Sequence, residues 1–411
     1  MAPDPVLGTS YRDVLRNREF RALLMADGLS TIGDQVARIA VALLVLERSG
    51  SAFAASATYA CSYLTWLVGG PFLSAFADHF PRRSVMVVCD LLRMVLIASL
   101  AVPGAPLWVV FAVLVLVGLL APPFEAAHSS LLADVLTGER YVVGNALMNA
   151  TSQGAQLVGF LGGGVLVTAL DVEGALLADA ATFAMSAALL VSHVAERRHE
   201  RPSALSGTSR RAEVLGGVSL LRRTPRLRLL LSWGLLIAGA VIAPEGLAVA
   251  IAAEDGRGAL AAGVLTAAVP AGFLVGLWLV LRQPPDRRER LFPAMVTASC
   301  LPLLLTAFVQ DVAVIAVLWV LAGVGSAMQL VANACFVQEV PPALRGRAFG
   351  VAVTLLMAVQ GALLLVAGAL AEVAGPRVPV AVLAGLALLM VPVLVSAAPS
   401  ADRPAQLAEP T

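Results

Sequence analysis

The chain has 411 residues, 59% of them hydrophobic and 13% charged, which is more apolar sequence than one soluble core can bury. A formal net charge of +1 supplies no basic field to attract nucleic acid, and four cysteines without CxxC spacing and four scattered histidines outline neither a disulfide framework nor a metal cluster. The composition is that of a multi-pass membrane protein.

Residues 1–19 are polar and lack the apolar core and cleavage site of a signal peptide, so the first hydrophobic run is read as an uncleaved span. A helix needs roughly 20 apolar residues to cross the hydrocarbon, and the run 20–46 has that length. It nevertheless carries Asp27, Thr31, Asp34 and Arg38 at helical spacing, one polar stripe with Ser30 and Gln35 at its edges. A charged side chain at the bilayer centre costs at least ~2.5–3.5 kcal/mol, so the stripe is expected to face protein or a water-filled path. The plain alternative is an Asp34/Arg38 pair, i to i+4, that only neutralises itself, although an inert pair is replaceable by apolar residues at little cost.

Hydrophobic runs and polar or Pro/Gly breaks predict twelve spans, at 20–46, 52–77, 84–102, 107–133, 142–170, 175–195, 227–252, 259–281, 291–309, 312–337, 348–373 and 378–398. The expected organisation is an N-terminal six-helix bundle in 1–195, a cytoplasmic linker in 196–226, a C-terminal six-helix bundle in 227–398 and a cytoplasmic tail in 399–411. All 28 basic residues are arginines, and 23 of them fall on the side that holds both termini, against Arg48, Arg257 and Arg377 opposite. By the positive-inside rule the arginine-rich side is cytoplasmic and both termini lie there.

The halves repeat. An offset of 207 superposes Arg16 on Arg223, Arg21 on Arg228, Glu47 on Glu254, Arg83 on Arg290, Arg140 on Arg347, and Gln153-Gly154 on Gln360-Gly361. A duplicated six-helix unit with parallel repeats explains this, and the same offset sets Arg38 on Glu245, at similar depth on the first and seventh helices.

Between the second and third spans stands Ser74 to Arg83, SAFADHFPRR, followed by Asp90 and Arg93. This loop resembles the signature of the major facilitator superfamily, Gly-x-Leu-Ala-Asp-Arg-x-Gly-Arg-Arg, with Asp78, Arg82 and Arg83 matching and Ser74, His79 and Pro81 departing from it. The resemblance implies a cytoplasmic gate of Asp78, Arg82, Arg83, Asp90 and Arg93, in which the Asp contacts the N-terminal end of helix eleven, where a carboxylate is favoured by the helix dipole. The plain alternative is ordinary positive-inside charge. Asn145-Ala146-Leu147, Asp179-Ala180-Ala181-Thr182-Phe183 and Gly33-Asp34 are similar to the efflux branch of that family, which holds drug, macrolide and enterobactin-type siderophore exporters. In the fifth span Gly159, Gly163 and Gly164 match part of an antiporter signature, while Phe160 and Ala155 replace its Pro and first Gly; close helix packing accounts for them as well.

The resemblance implies an all-α fold in which helices one, four, seven and ten line a central cavity. Glu125 and His128, Glu245, and Ser326, Gln329 and Asn333 would supply its polar groups. The chain has no Gly-x-x-x-x-Gly-Lys nucleotide site, so a gradient is the expected energy source and no cofactor is implied. Burial tightens a carboxylate's hold on its proton and a guanidinium loosens it. Asp34 is therefore the first candidate proton carrier and Glu245 the second, with Arg38 switching between them. The expected function is proton-coupled export of a small amphipathic compound by alternating access, in a single chain working as a monomer in the cell membrane. An importer or facilitator of the same fold is the alternative; a membrane enzyme or receptor is remote, for lack of a nucleophile/base constellation or a sizeable soluble domain.

Overall fold

In the computed structural model the described residues are 11–77, 79–197, 210–341 and 344–397, and they are helical almost throughout. The first six membrane helices are α1 (Arg18–Ser49), α2 (Ala52–Ala77), α3 (Arg82–Leu100), α4 (Leu107–Leu119 continued by Ala121–Val135), α5 (139–170) and α6 (172–193). The second six are α7 (Pro225–Glu254), α8 (Gly258–Leu281), α9 (Phe292–Leu305), α10 (Val312–Ser326 continued by Met328–Glu339), α11 (Arg345–Ala374) and α12 (Arg377–Ser396). Among the described residues, nine helical stretches are long and apolar enough to cross a membrane.

Local chemistry sets the boundaries. Asn17 caps α1 by accepting from the N–H groups of Glu19 and Phe20 at 2.9 and 3.2 Å, and Gly50, left-handed at φ 65°, ends it. α4 steps at Leu120, just before Pro122 and Pro123, which lack the N–H groups a continuous helix uses. α5 and α6 meet without a loop at Asp171, whose φ of 60° and ψ of −179° break the helix. The stretch expected as a linker contains a helix, Arg210–Arg223; the expected tail, 399–411, lies outside the described residues.

α1 and α7 are the central helices: 67% and 78% of their apolar stretches are buried in protein. α1 packs on α5 and α6, α2 on α11, and α5 on α8. The last two pairings join the halves. At α5/α8 the backbones nearly touch, since a Cβ on Gly263 would lie 2.9 Å from the Gly164 Cα and 2.8 Å from the Phe160 carbonyl oxygen. At α2/α11 the Ser56 hydroxyl donates to the Leu364 carbonyl at 2.8 Å, and Gly368 leaves room for Phe53 and Ser56. Nearer the arginine-poor face, Glu372 of α11 accepts from the Ser51 hydroxyl at 2.6 Å and from the Phe53 N–H at 2.8 Å, so a carboxylate of one half caps the first turn of a helix in the other.

Candidate functional site

The stripe on α1 does not pair with itself. Arg38 Nη1 donates to Glu245 Oε1 of α7 at 3.0 Å, and the Tyr63 hydroxyl of α2 donates to Glu245 Oε2 at 2.9 Å. Both carboxylate oxygens are therefore held from the other half, with 28% of the arginine side chain and 20% of the glutamate exposed. Pro244 precedes Glu245 inside α7 and cannot complete the intrahelical bond at its own position.

Beside this pair lies a cavity of about 220 Å³ between the halves. Glu245 and Tyr63 line it together with Gln153, Gln156, Gln329 and Gln360, and Phe160, Ile242 and Phe273 supply apolar wall. The result is a cleft rich in amides whose one lining carboxylate is neutralised by Arg38. Such a surface can hold a compound with an apolar body and a few hydrogen-bonding groups.

Asp34 stands elsewhere. It lines a second cavity of about 110 Å³ inside the N-terminal half, with Arg38, Tyr59, Arg93 and Asp179. Arg38 borders this cavity while its guanidinium bonds to a wall of the first, so it is the boundary between them. Asp27, lower on the stripe, accepts from the Ser152 hydroxyl at 2.6 Å.

The other expected site residues divide. Gln329 lines the central cavity and donates to Asn333 at 3.4 Å; Asn333 is exposed and borders a smaller cavity toward Phe336 and Phe349. Glu125 is exposed and lines neither main cavity, whereas His128, one helical turn on, is buried and stacked on Phe124. In the expected gate, Arg82 donates to the Ser130 carbonyl at 3.0 Å and pairs with Asp134, both on α4, and Arg83 is half-buried beside it. Asp78 lies outside the described residues.

Asp90 and Arg93, expected with the gate, lie buried among the helices of the N-terminal half. Asp90 is fully buried and accepts from the Ser186 hydroxyl of α6 at 2.6 Å; Arg93 is buried with its guanidinium 5.0 Å from the Phe124 ring and 5.7 Å from that of Phe183. They sit two and three turns into α3, where the side chains meet α4 and α6 instead of the loop. Gly159 and Gly163 admit the α1 backbone near Ile32 and Val36, and Gly164 admits α8, so all three serve helix approach.

Tyr63, Gln156 and Asp179 were not singled out as site residues by the sequence. Gln153 and Gln360 had a signal, since the 207-residue offset superposes them and both line the central cavity.

The residue match extends past the loop motif. A model of the Major Facilitator Superfamily matches residues 23–285. The multidrug efflux pump Tap of Mycobacterium bovis is 28% identical over 411 residues, covering 92% of this chain and 95% of that one. The lysophospholipid transporter LplT of Cronobacter sakazakii is 28% identical over 155 residues, so the chain spans 37% of that relative's length. Among solved structures, the nucleoside transporter NupG aligns with a TM-score of 0.69 at 13% identity over 92% of this chain and 98% of that one. A bacterial homologue of the human lysosomal transporter Spinster aligns with a TM-score of 0.66 at 14% identity over 95% and 96%. Identities this low show shared fold alone. The family model spans residues 23–285, well over half of the chain, and the chain belongs to the Major Facilitator Superfamily of membrane transporters.

Proposed function

We propose that the protein exports a small amphipathic compound in exchange for protons, and the observation that carries this reading is the Arg38–Glu245 pair across the two halves beside the central cavity. The arginine-rich face is the cytoplasmic one, with both termini there. Close contacts at Glu372, Ser56 and Gly164 hold the halves together from the opposite face to mid-depth, which leaves substrate to enter from the cytoplasm.

In this scheme a proton on Glu245, or a polar group of the substrate, removes the charge that holds Arg38. Asp34 lies one turn away on the same helix and receives the freed guanidinium. The ion pair between the halves is then gone, and they rock apart on the outer side. Four glutamine amides and two phenylalanines suit a ligand with a hydrophobic body and scattered polar groups, in line with the full-length similarity to a multidrug efflux pump.

Ethidium accumulation in everted vesicles tests this. An imposed proton gradient should drive it in the wild type, a protonophore should collapse it, and Glu245→Gln should abolish it; full gradient-driven uptake by that variant would refute the reading. The partial match to a lysophospholipid transporter favours a second possibility, a facilitator that brings an amphiphile inward. Uptake of a fluorescent lysophospholipid into right-side-out but not everted vesicles would select it.

A further inference from the structure

The cavity inside the N-terminal half is separated from the central one by Arg38, and beside Asp34 and Arg38 it gathers charged groups that the export scheme leaves unused, Arg93 and Asp179. Its charges come from α1 (Asp34, Arg38), α3 (Arg93, with Asp90 behind it) and α6 (Asp179), while α2 adds the Tyr59 hydroxyl and α4 offers only Leu114, Val117, Gly118 and Ala121. Arg38 is committed to Glu245. That leaves Arg93 as one guanidinium within Coulombic reach of Asp34, Asp90 and Asp179. Asp27 of α1 adds a further negative neighbour to Asp34 and Asp90, so the cluster fully ionised would carry at least two uncompensated negative charges in the middle of a membrane protein. Isolated charges in such surroundings are costly enough that the group neutralises instead.

The hydrogen bonds say where a proton would sit. Asp90 accepts a short bond from Ser186 at 2.6 Å on Oδ2 and leaves its Oδ1 buried without a partner, but it does not line the cavity. Asp179 is 1% exposed; its Oδ1 accepts a long bond from the Thr182 hydroxyl at 3.3 Å, and its Oδ2 is buried without a partner. A carboxylate oxygen left bare in this way gains nothing from its charge, whereas an O–H there points into a cavity large enough for a few waters. Close packing brings Asp179 to this position: a Cβ on Gly33, the neighbour of Asp34, would overlap Asp179 Oδ1 and Thr182 Oγ1. Two stretches distant in sequence, Gly33-Asp34 and Asp179 to Phe183, thus meet at one point.

We propose that this inner cavity is the coupling site of the transporter, where Asp179 together with Asp34 holds the exchanged proton apart from the substrate. The proposal rests on the proton-coupled reading above and adds the site and the residue. When Glu245 lets go of Arg38, the guanidinium swings to Asp34. The O–H bond of the protonated carboxyl then breaks, its electron pair stays on the carboxylate, and the proton passes to cavity water.

Infrared pH titration of the purified full-length protein tests the site without any substrate. The carboxylic C=O stretch of a buried, protonated acid should be present in the wild type at neutral pH. Asp179→Asn should remove one carboxyl's worth of that band, Asp179→Glu should restore it, and Glu245→Gln should leave it, since Glu245 is paired to Arg38 and lines the central cavity, not the inner one. Thr182→Val keeps the carboxyl but takes away its hydrogen bond and should move the band, which decides the matter should Asp179→Asn fail to fold. A wild type without the band, a band lost in Glu245→Gln and kept in Asp179→Asn, or one abolished by sodium chloride but not by choline chloride would overturn the assignment. Absence of ethidium transport with the band behaving as expected would sink the export reading and leave the proton site standing.

Discussion

Arg38 Nη1 and Glu245 Oε1 are 3.0 Å apart, and the two residues are separated by 207 positions, the offset that superposes the halves. A repeat places equivalent positions at equal depth on α1 and α7, and here those positions carry opposite charge and touch. The pair is an ionic tie between the two sets of helices that the proposed export cycle moves against each other.

Breaking that tie should cost both stability and turnover. Exposed pairs contribute about 0–1 kcal/mol, and removing one partner of a fully buried pair costs about 3–5. With 28% of the arginine and 20% of the glutamate side chain exposed, Glu245→Ala belongs between these limits, at about 2 kcal/mol. Thermal melting of Arg38→Ala, Glu245→Ala and the double variant checks it: the double variant should be less destabilised than the two singles added together. Strict additivity would mean that the two side chains do not interact.

Contact between α5 and α8 should be intolerant of bulk. Val at Gly263 places side-chain atoms where the Gly164 backbone lies and must hold the halves apart on the arginine-poor side. In a cysteine-free background with Ser326→Cys in the cavity, a membrane-impermeant maleimide applied from that side should label Gly263→Val at least several-fold faster than its parent. Equal labelling would show that the seal lies elsewhere.

How much of this was legible in the chain depends on what periodicity can report. Apolar runs gave the spans, and helical phase gave the α1 stripe, because both are properties of one helix. The partner of a stripe is a property of two helices, and only the duplication supplied one: it set Arg38 against Glu245 and Gln153 against Gln360 before any contact was known. No such device addressed Asp34, which shares a helix face with Arg38 but borders only the inner cavity. The resemblance grouped Asp90 and Arg93 with the gate, and what the chain alone did not show is their contact with Ser186 and Phe183 of α6. Tyr63 reaches Glu245 from α2, a helix that the family resemblance did not place at the cavity.

Glu372 offers a test on the outer side. As the cross-half cap of α2 it binds one hydroxyl and one backbone N–H, and losing an N-cap acceptor changes a local equilibrium by about 1 kcal/mol, roughly fivefold. Glu372→Ala should shift the population toward the outward-open form by about that factor, read as faster labelling of Ser326→Cys from the arginine-poor side with little change in melting temperature. Glu372→Gln keeps an acceptor oxygen and should fall between the two. A variant that labels at the wild-type rate would reduce the contact to a surface ornament.

Gly33 tests whether α1 and α6 must meet as closely as they do. Alanine there puts a methyl onto Asp179 Oδ1 and Thr182 Oγ1, both attached to short side chains on a buried helix face, so the strain is relieved only by moving the helices or turning the carboxyl. Overpacking of this kind costs about 1–3 kcal/mol in well-packed interiors. Gly33→Ala is therefore expected to melt lower and to lose gradient-driven uptake at least tenfold, whereas Gly154→Ala, where an added Cβ meets nothing within 4 Å, should do neither. Pairing Gly33→Ala with Thr182→Gly removes one of the two obstacles, and recovery of melting temperature in the double variant is the outcome that a direct steric contact requires.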